Sequence, residues 1–358
     1  MKFSARDDYP RRYRTVPSSS ARRNSWLLLG AAALAASAYV VRVRTRQAEA
    51  DNPPVGRFVE VDGVRLHYME RGEGEPLVML HGDGSLIQDF MSSGLVDMAA
   101  RKYRVIVFDR PGYGYSERPR TTVWTPQAQA ALLQRALRQI GVGPAVVLGH
   151  SWGTLVAVAL ALDFPEQVRS LVLVSGYYYP SVRLDVPVLS APAVPVLGDL
   201  MRFTVSPLLS RAIWPAMLRR IFGPAEVPQR FQREFPVGMV VRPSQLRASA
   251  ADTALMIPAT FSLHGRYQEL SMPVVIMAGD GDRHVDTHAQ SERLYSELPQ
   301  STLHITHGAG HMLHHVAPLE VIAAIDQAAA ASAEPAAEEV LPAGPVLAEP
   351  EPRRLSAG

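Results

Sequence analysis

Gly149-His150-Ser151-Trp152-Gly153 is the stretch that decides how this chain is read. An apolar run, Ala145-Val146-Val147-Leu148, leads into it, and a helix-like run from Thr154 to Leu162 follows directly. A serine between two glycines at a strand-to-helix junction reads as a nucleophile elbow. The backbone there must turn through a strained conformation, at a cost of about 1–3 kcal/mol. A side chain two residues to either side would meet the neighbouring strand or helix. The turn lifts the hydroxyl clear of the sheet, and the positive end of the new helix faces charge developing on a nearby oxygen.

A serine is a weak nucleophile until a base removes its proton, and the base in turn needs an orienting acid. In a chain with this elbow the order is Ser, acid, His. The apolar run Pro273-Val274-Val275-Ile276-Met277-Ala278 reads as a buried parallel strand, and it ends in Gly279-Asp280-Gly281-Asp282-Arg283-His284-Val285. Another strand-like run, Ser301 to Thr306, leads into Gly308-Ala309-Gly310-His311-Met312. Ser151, Asp282 and His311 therefore read as nucleophile, acid and base. Asp280 and Asp286 compete for the acid's place, and the spacing G-x-x-D-x-x-V favours Asp282. Gly310 is expected to leave room for the imidazole to swing over the serine.

Four motifs in order carry a family resemblance. They are His81-Gly82-Asp83-Gly84, Asp109-Arg110-Pro111-Gly112-Tyr113-Gly114-Tyr115-Ser116, the elbow, and the paired Asp and His loops. Over roughly residues 57–330 the chain resembles the α/β-hydrolase superfamily, in its lid-bearing serine-hydrolase branch. That resemblance implies a mostly parallel eight-stranded sheet flanked by helices, with a helical lid inserted over the serine. It also implies that the backbone N–H groups of Asp83 and Trp152 form the oxyanion hole. Asp83 departs from the small or apolar residue more usual there. A carboxylate beside an oxyanion would oppose the developing charge unless it points away or pairs with a cation. Members that open epoxides or carbon–halogen bonds carry aspartate at the elbow, so Ser151 argues against those reactions.

The other histidines have plainer readings. His81 and His150 flank the catalytic loops and shape the pocket, while His304 is a packing or surface group. His307, His314 and His315 crowd His311, which raises the question of a metal. With no Cys and no H-E-x-x-H spacing, no metal site and no cofactor are expected. No carboxylate follows Val174-Ser175-Gly176-Tyr177, so the alternative acid position of some relatives is empty.

The 358 residues, 47% hydrophobic, suffice for one α/β domain and an insertion. The net charge of +2 conceals an asymmetry: residues 1–46 carry +8 and the remainder −6. The basic excess belongs to the arm, and gives no reason to expect nucleic-acid binding by the body. Within an arm spanning residues 1–50, Trp26 to Val41 is an apolar run flanked by Arg22-Arg23 and by Arg42, Arg44 and Arg46. It reads as a membrane anchor, lengthened by snorkelling arginines, or as a signal segment cleaved near Ala36-Ser37-Ala38. Residues 331–358, rich in Ala, Pro and Glu, read as a disordered tail.

Between the ends runs an alternating α/β order. Arg57–Val61 and Val64–Glu70 form a hairpin across Asp62-Gly63. Strands Pro76–Leu80 and Val105–Asp109, a helix Pro126–Ile140, strand Ala145–Gly149 and strand Ser170–Val174 follow. The core thus spans 57–176 and 271–330, interrupted by a Pro-dotted insertion at 177–270. The insertion's Trp214, Met217, Ile221, Phe222, Met239, Met256 and Phe261 suggest a largely apolar small-molecule substrate. Ester hydrolysis through an acyl-enzyme asks least of such a site. Carbon–carbon hydrolysis, lactone hydrolysis, peracid formation, lyase chemistry and ligand binding without turnover stay open.

Overall fold

The computed structural model describes residues 19–182 and 186–333. Eight strands form one sheet: β1 (Arg57–Val61), β2 (Val64–Arg71), β3 (Glu75–Leu80), β4 (Tyr103–Phe108), β5 (Ala145–His150), β6 (Val168–Val174), β7 (Val274–Gly279) and β8 (Ser301–Thr306). Their order across the sheet is β1-β2-β4-β3-β5-β6-β7-β8. β1 and β2 form the expected hairpin, β2 is antiparallel to β4, and every other pairing is parallel. The chain steps outward from β3 to β4, then returns past β3 to β5. Strand order therefore reverses between β3 and β5, and the loops leaving their C-terminal ends diverge there to open a crevice.

The helices in chain order are α1 (Ser19–Asp51), α2 (Ile87–Ser93), α3 (Leu95–Ala99), α4 (Pro126–Gln139), α5 (Trp152–Asp163), α6 (Val186–Ser190), α7 (Leu197–Thr204), α8 (Ser206–Phe222), α9 (Gln229–Glu234), α10 (Val237–Val240), α11 (Pro243–Leu263), α12 (Arg293–Glu297), α13 (Leu313–Val316) and α14 (Pro318–Ala333). The parallel strands are apolar on both faces because helices cover both. Val78, Leu80, Val147 and Leu171 pack with α4 and α5, and Leu77, Met79, Val146 and Val172 pack with α3 and α14. α4 starts on Pro126 with the Thr125 hydroxyl accepting from Ala128 N–H, a standard N-cap.

Both chain ends differ from expectation. α14 continues to Ala333, so the first residues of the expected tail are helical, and the rest of it lies outside the described residues. α1 is one helix from Ser19 to Asp51, and its last turns belong to the body. Val41 and Ala48 are buried, and Glu49 pairs with the buried Arg242 at 2.8 Å. Residues 23–36, by contrast, are exposed throughout.

Candidate active site

The elbow's geometry follows from its glycines. Ser151 has φ 53° and ψ −122°, a conformation that L-residues rarely adopt. A Cβ on Gly149 would lie 2.7 Å from the Gly153 carbonyl oxygen, and one on Gly153 would lie 2.2 Å from that of Leu80. Without side chains at these two positions, β5 turns directly into α5 beside β3. Trp152, as the first residue of α5, has an N–H without an intrahelical acceptor.

Ser151, His311 and Asp282 come together as one hydrogen-bonded chain. Ser151 Oγ donates to His311 Nε2 at 2.8 Å, and His311 Nδ1 donates to Asp282 Oδ2 at 2.8 Å. Asp282 Oδ1 also accepts from the N–H groups of His284 (2.7 Å) and Val285 (3.0 Å). Burial opposes ionisation of Asp282, yet His311 and these N–H groups hold its carboxyl below the usual range. The two competing acids lie elsewhere. Asp280 pairs with the exposed His307 at 2.9 Å, and Asp286 accepts from Ala289 N–H at 2.8 Å.

Gly310 has a different reason from the one expected. A Cβ there would lie 2.5 Å from the Gly223 carbonyl oxygen and 2.7 Å from that of Phe222. The glycine admits the C-terminal end of α8, whose Ile221 carbonyl accepts the His311 N–H at 2.8 Å. The insertion thus helps to hold the histidine.

The largest feature outside the sequence reading is a buried polar network behind the His81 loop. Arg110 Nε donates to the His81 carbonyl (2.8 Å), and its NH2 donates to that of Gly82 (3.0 Å). Its NH1 donates to Asp252 Oδ2 at 2.8 Å, and Arg118 holds the other oxygen of Asp252 at 2.8 Å. Asp109 accepts from Ile87 N–H, Tyr115 N–H and His67. Burial first, then the charge of Arg110, lowers the pKa of His81 to about 4.

This network bears on Asp83, whose side chain turns toward α11. The Tyr113 hydroxyl lies 2.7 Å from Asp83 Oδ1 and 2.9 Å from Asp252 Oδ2, and Thr253 donates to Asp83 Oδ2 at 3.2 Å. One phenolic proton cannot serve two carboxylates. Burial and the charge of Asp252 both raise the Asp83 carboxyl above its usual pKa. A proton on Asp83 would let it donate to Tyr113 and leave the phenolic proton for Asp252.

The remaining histidines divide cleanly. His304 is exposed on Gln327, and His150 is buried with its Nε2 3.1 Å from the His311 carbonyl. His314 and His315 both donate to the buried Asp89, at 3.1 and 2.8 Å. These three are the described residues whose donor atoms gather closely enough to hold a metal. Burial opposes charge on Asp89, but the two histidines hold it well below the usual carboxylate range. In the insertion, Phe222 and Met239 are core residues packed with Phe231, and Trp214 stacks on Phe235. Met217 and Phe261 face outward, so the insertion's apolar residues divide between its core and its surface.

The alpha/beta hydrolase fold profile matches residues 75–318. This chain belongs to the alpha/beta hydrolase family. Among its relatives, the dihydrolipoyllysine-residue acetyltransferase component of the acetoin cleaving system of Cupriavidus necator is 36% identical over 128 residues, 36% of this chain. The match spans only 33% of that relative's length. A 2-hydroxy-6-oxononadienedioate/2-hydroxy-6-oxononatrienedioate hydrolase of Klebsiella pneumoniae is 27% identical over 275 residues, 71% of this alpha/beta hydrolase and 88% of that one. A thermophilic esterase from Thermogutta terrifontis superposes with a TM-score of 0.62 at 22% identity, over 77% of this alpha/beta hydrolase and 99% of the esterase.

Proposed function

We propose that this alpha/beta hydrolase cleaves an ester or similar acyl bond of a largely apolar small molecule through an acyl-enzyme on Ser151. The observation that carries the reading is the continuous chain Ser151–His311–Asp282, both of its links 2.8 Å long. His311 takes the Ser151 proton as Oγ attacks the acyl carbon, and Asp282 holds the tautomer and stabilises the imidazolium. The oxyanion forms at the N-terminal end of α5, where the N–H groups of Trp152 and Asp83 receive it. His311 then protonates the leaving alcohol, and water repeats the sequence to free the acid. The Asp83 side chain is held by Tyr113 and Thr253 on the α11 side, and its raised pKa lessens the negative charge beside that oxyanion.

A second reading, carbon–carbon hydrolysis, draws on the Klebsiella pneumoniae relative, whose substrates are dioates. A dioate calls for a cation near the serine. Arg110 is fully buried and committed to two carbonyls, Gln129 and Asp252. An ester with an apolar acyl group asks no such cation of the site.

α1 is long and apolar enough to cross a membrane, as a signal sequence is also. An anchor fits better, because the helix continues past the apolar run into contacts of Ala48 and Glu49 with the body. Fluorophosphonate labelling of the full chain tests the nucleophile. Labelling that Ser151→Ala abolishes is expected, and labelling unchanged by that substitution overturns the reading. Turnover of a 2-hydroxy-6-oxo-dienoate in preference to p-nitrophenyl esters would replace it with the second one.

A further inference from the structure

The insertion presents an apolar outer surface beside α1. α7 exposes Leu197, Leu200 and Phe203, and α8 exposes Leu209, Ile213 and Met217 at i, i+4 and i+8, a single stripe. Val188 and Val196 are 74% and 81% exposed. From Val186 to Ser210 the only charged residues are Asp199 and Arg202, which pair with each other. The apolar arms Val186–Ala193 and Leu197–Thr204 meet at a bend of 92°.

α1 sets the depth of this surface. Arg23 and Arg42 bracket its apolar part, a rise of about 28 Å, close to the hydrocarbon thickness of a bilayer. Ser37 Oγ donates to the Thr204 carbonyl at 2.8 Å, fixing α7 against α1. Ser37 lies five residues on the apolar side of Arg42, about 7.5 Å along the axis. Helices lying in a membrane interface bury their apolar face by about 5–10 Å. With α1 across the bilayer and Arg42 at its surface, α7 therefore falls at the depth of an interfacial helix. Exposed arginines Arg42, Arg44, Arg46, Arg211, Arg219 and Arg220 border the apolar surface and suit anionic headgroups.

We propose that α6, α7 and the exposed stripe of α8 lie in the headgroup and outer acyl region of an anionic bilayer, beside a membrane-crossing α1. The insertion is then a membrane-docking element in its own right. The stripe ends at Met217, one turn of α8 before Ile221, whose carbonyl holds His311. No catalytic step enters the proposal, so it stands or falls separately from the acyl-enzyme reading.

The chain contains no cysteine, which permits single-cysteine labelling of the full-length protein. Leu200→Cys, Phe203→Cys, Leu29→Cys and Gln139→Cys would each carry an environment-sensitive nitrobenzoxadiazole label. Gln139 is exposed at the end of α4, which leads into the N-terminal end of β5, while the serine follows its C-terminal end. The variants are reconstituted in phosphatidylcholine–phosphatidylglycerol vesicles containing nitroxide lipids. A blue shift is expected at positions 200 and 203, with quenching by nitroxides high on the acyl chain. Position 29 should be quenched by nitroxides near the bilayer centre, and position 139 by neither. Labels at 200 and 203 that stay as solvated as the one at 139, while 29 is quenched, would overturn the proposal and leave α1 as sole anchor. A blue shift at 200 and 203 in detergent without vesicles, with cross-linked dimers, would overturn it in favour of a second copy of the chain.

Discussion

Ser151, held at φ 53°, gives the sharpest residue-scale tests. Ser151→Ala and His311→Ala should each lower kcat by roughly 10⁵- to 10⁶-fold in a p-nitrophenyl ester assay. Asp282→Asn should cost about 10⁴-fold, by holding the imidazole in the wrong tautomer. Asp280→Asn should leave the rate nearly unchanged, because Asp280 pairs with exposed His307 rather than with His311. A larger loss for Asp280→Asn than for Asp282→Asn would reverse the assignment of the acid. Asp83 offers an independent test. Asn can donate to Tyr113 and accept from Thr253, so Asp83→Asn should retain kcat, whereas Asp83→Leu strands both partners and should lower it. A severe loss in Asp83→Asn would mean that the carboxylate itself is needed.

At the scale of elements, the turn from β5 to α5 and the seating of α1 can each be broken separately. Gly153→Ala drives a Cβ into the Leu80 carbonyl, and should destabilise the fold by about 1–3 kcal/mol while lowering activity. Removing residues 1–36 should change the melting temperature little, since residues 23–36 are exposed throughout. Removing residues 1–50 strips Val41, Ala48 and Glu49 from the insertion, and burial of Val41 alone contributes about 1.5–3 kcal/mol. The shorter chain should melt lower, and equal melting temperatures would contradict the packing. The strands, the elbow and the Asp and His loops are legible in the sequence because their rules are local: apolar runs, glycines, fixed spacing. The Arg110–Asp252 pair joins positions 142 residues apart, and no local pattern announces it. Composition likewise could not say which face of the insertion its apolar residues occupy, so Phe222 and Met239 entered its core while Phe261 turned outward.

For the whole molecule, buried histidines set the response to acid. His81 is held at about 4, His150 lies well below its ordinary value and His315 is lowered, each first through burial. Between about pH 6.5, where an unfolded histidine titrates, and pH 4, the unfolded chain binds protons that the folded one does not. Stability should therefore fall as pH drops through that window, by on the order of 3 kcal/mol from His81 alone. Asp89 and Asp109, held low by histidine partners, extend the loss below it, and the raised Asp83 opposes it. Melting curves across pH 4–7 check this, and a flat profile would contradict the buried neutral histidines. An acyl-enzyme on Ser151 should be visible by intact-protein mass spectrometry during turnover of p-nitrophenyl esters of graded chain length. An adduct of the acyl mass is expected, and it should disappear in Ser151→Ala. Rapid nitrophenol release with no adduct at any time, or an adduct that persists in Ser151→Ala, would contradict it.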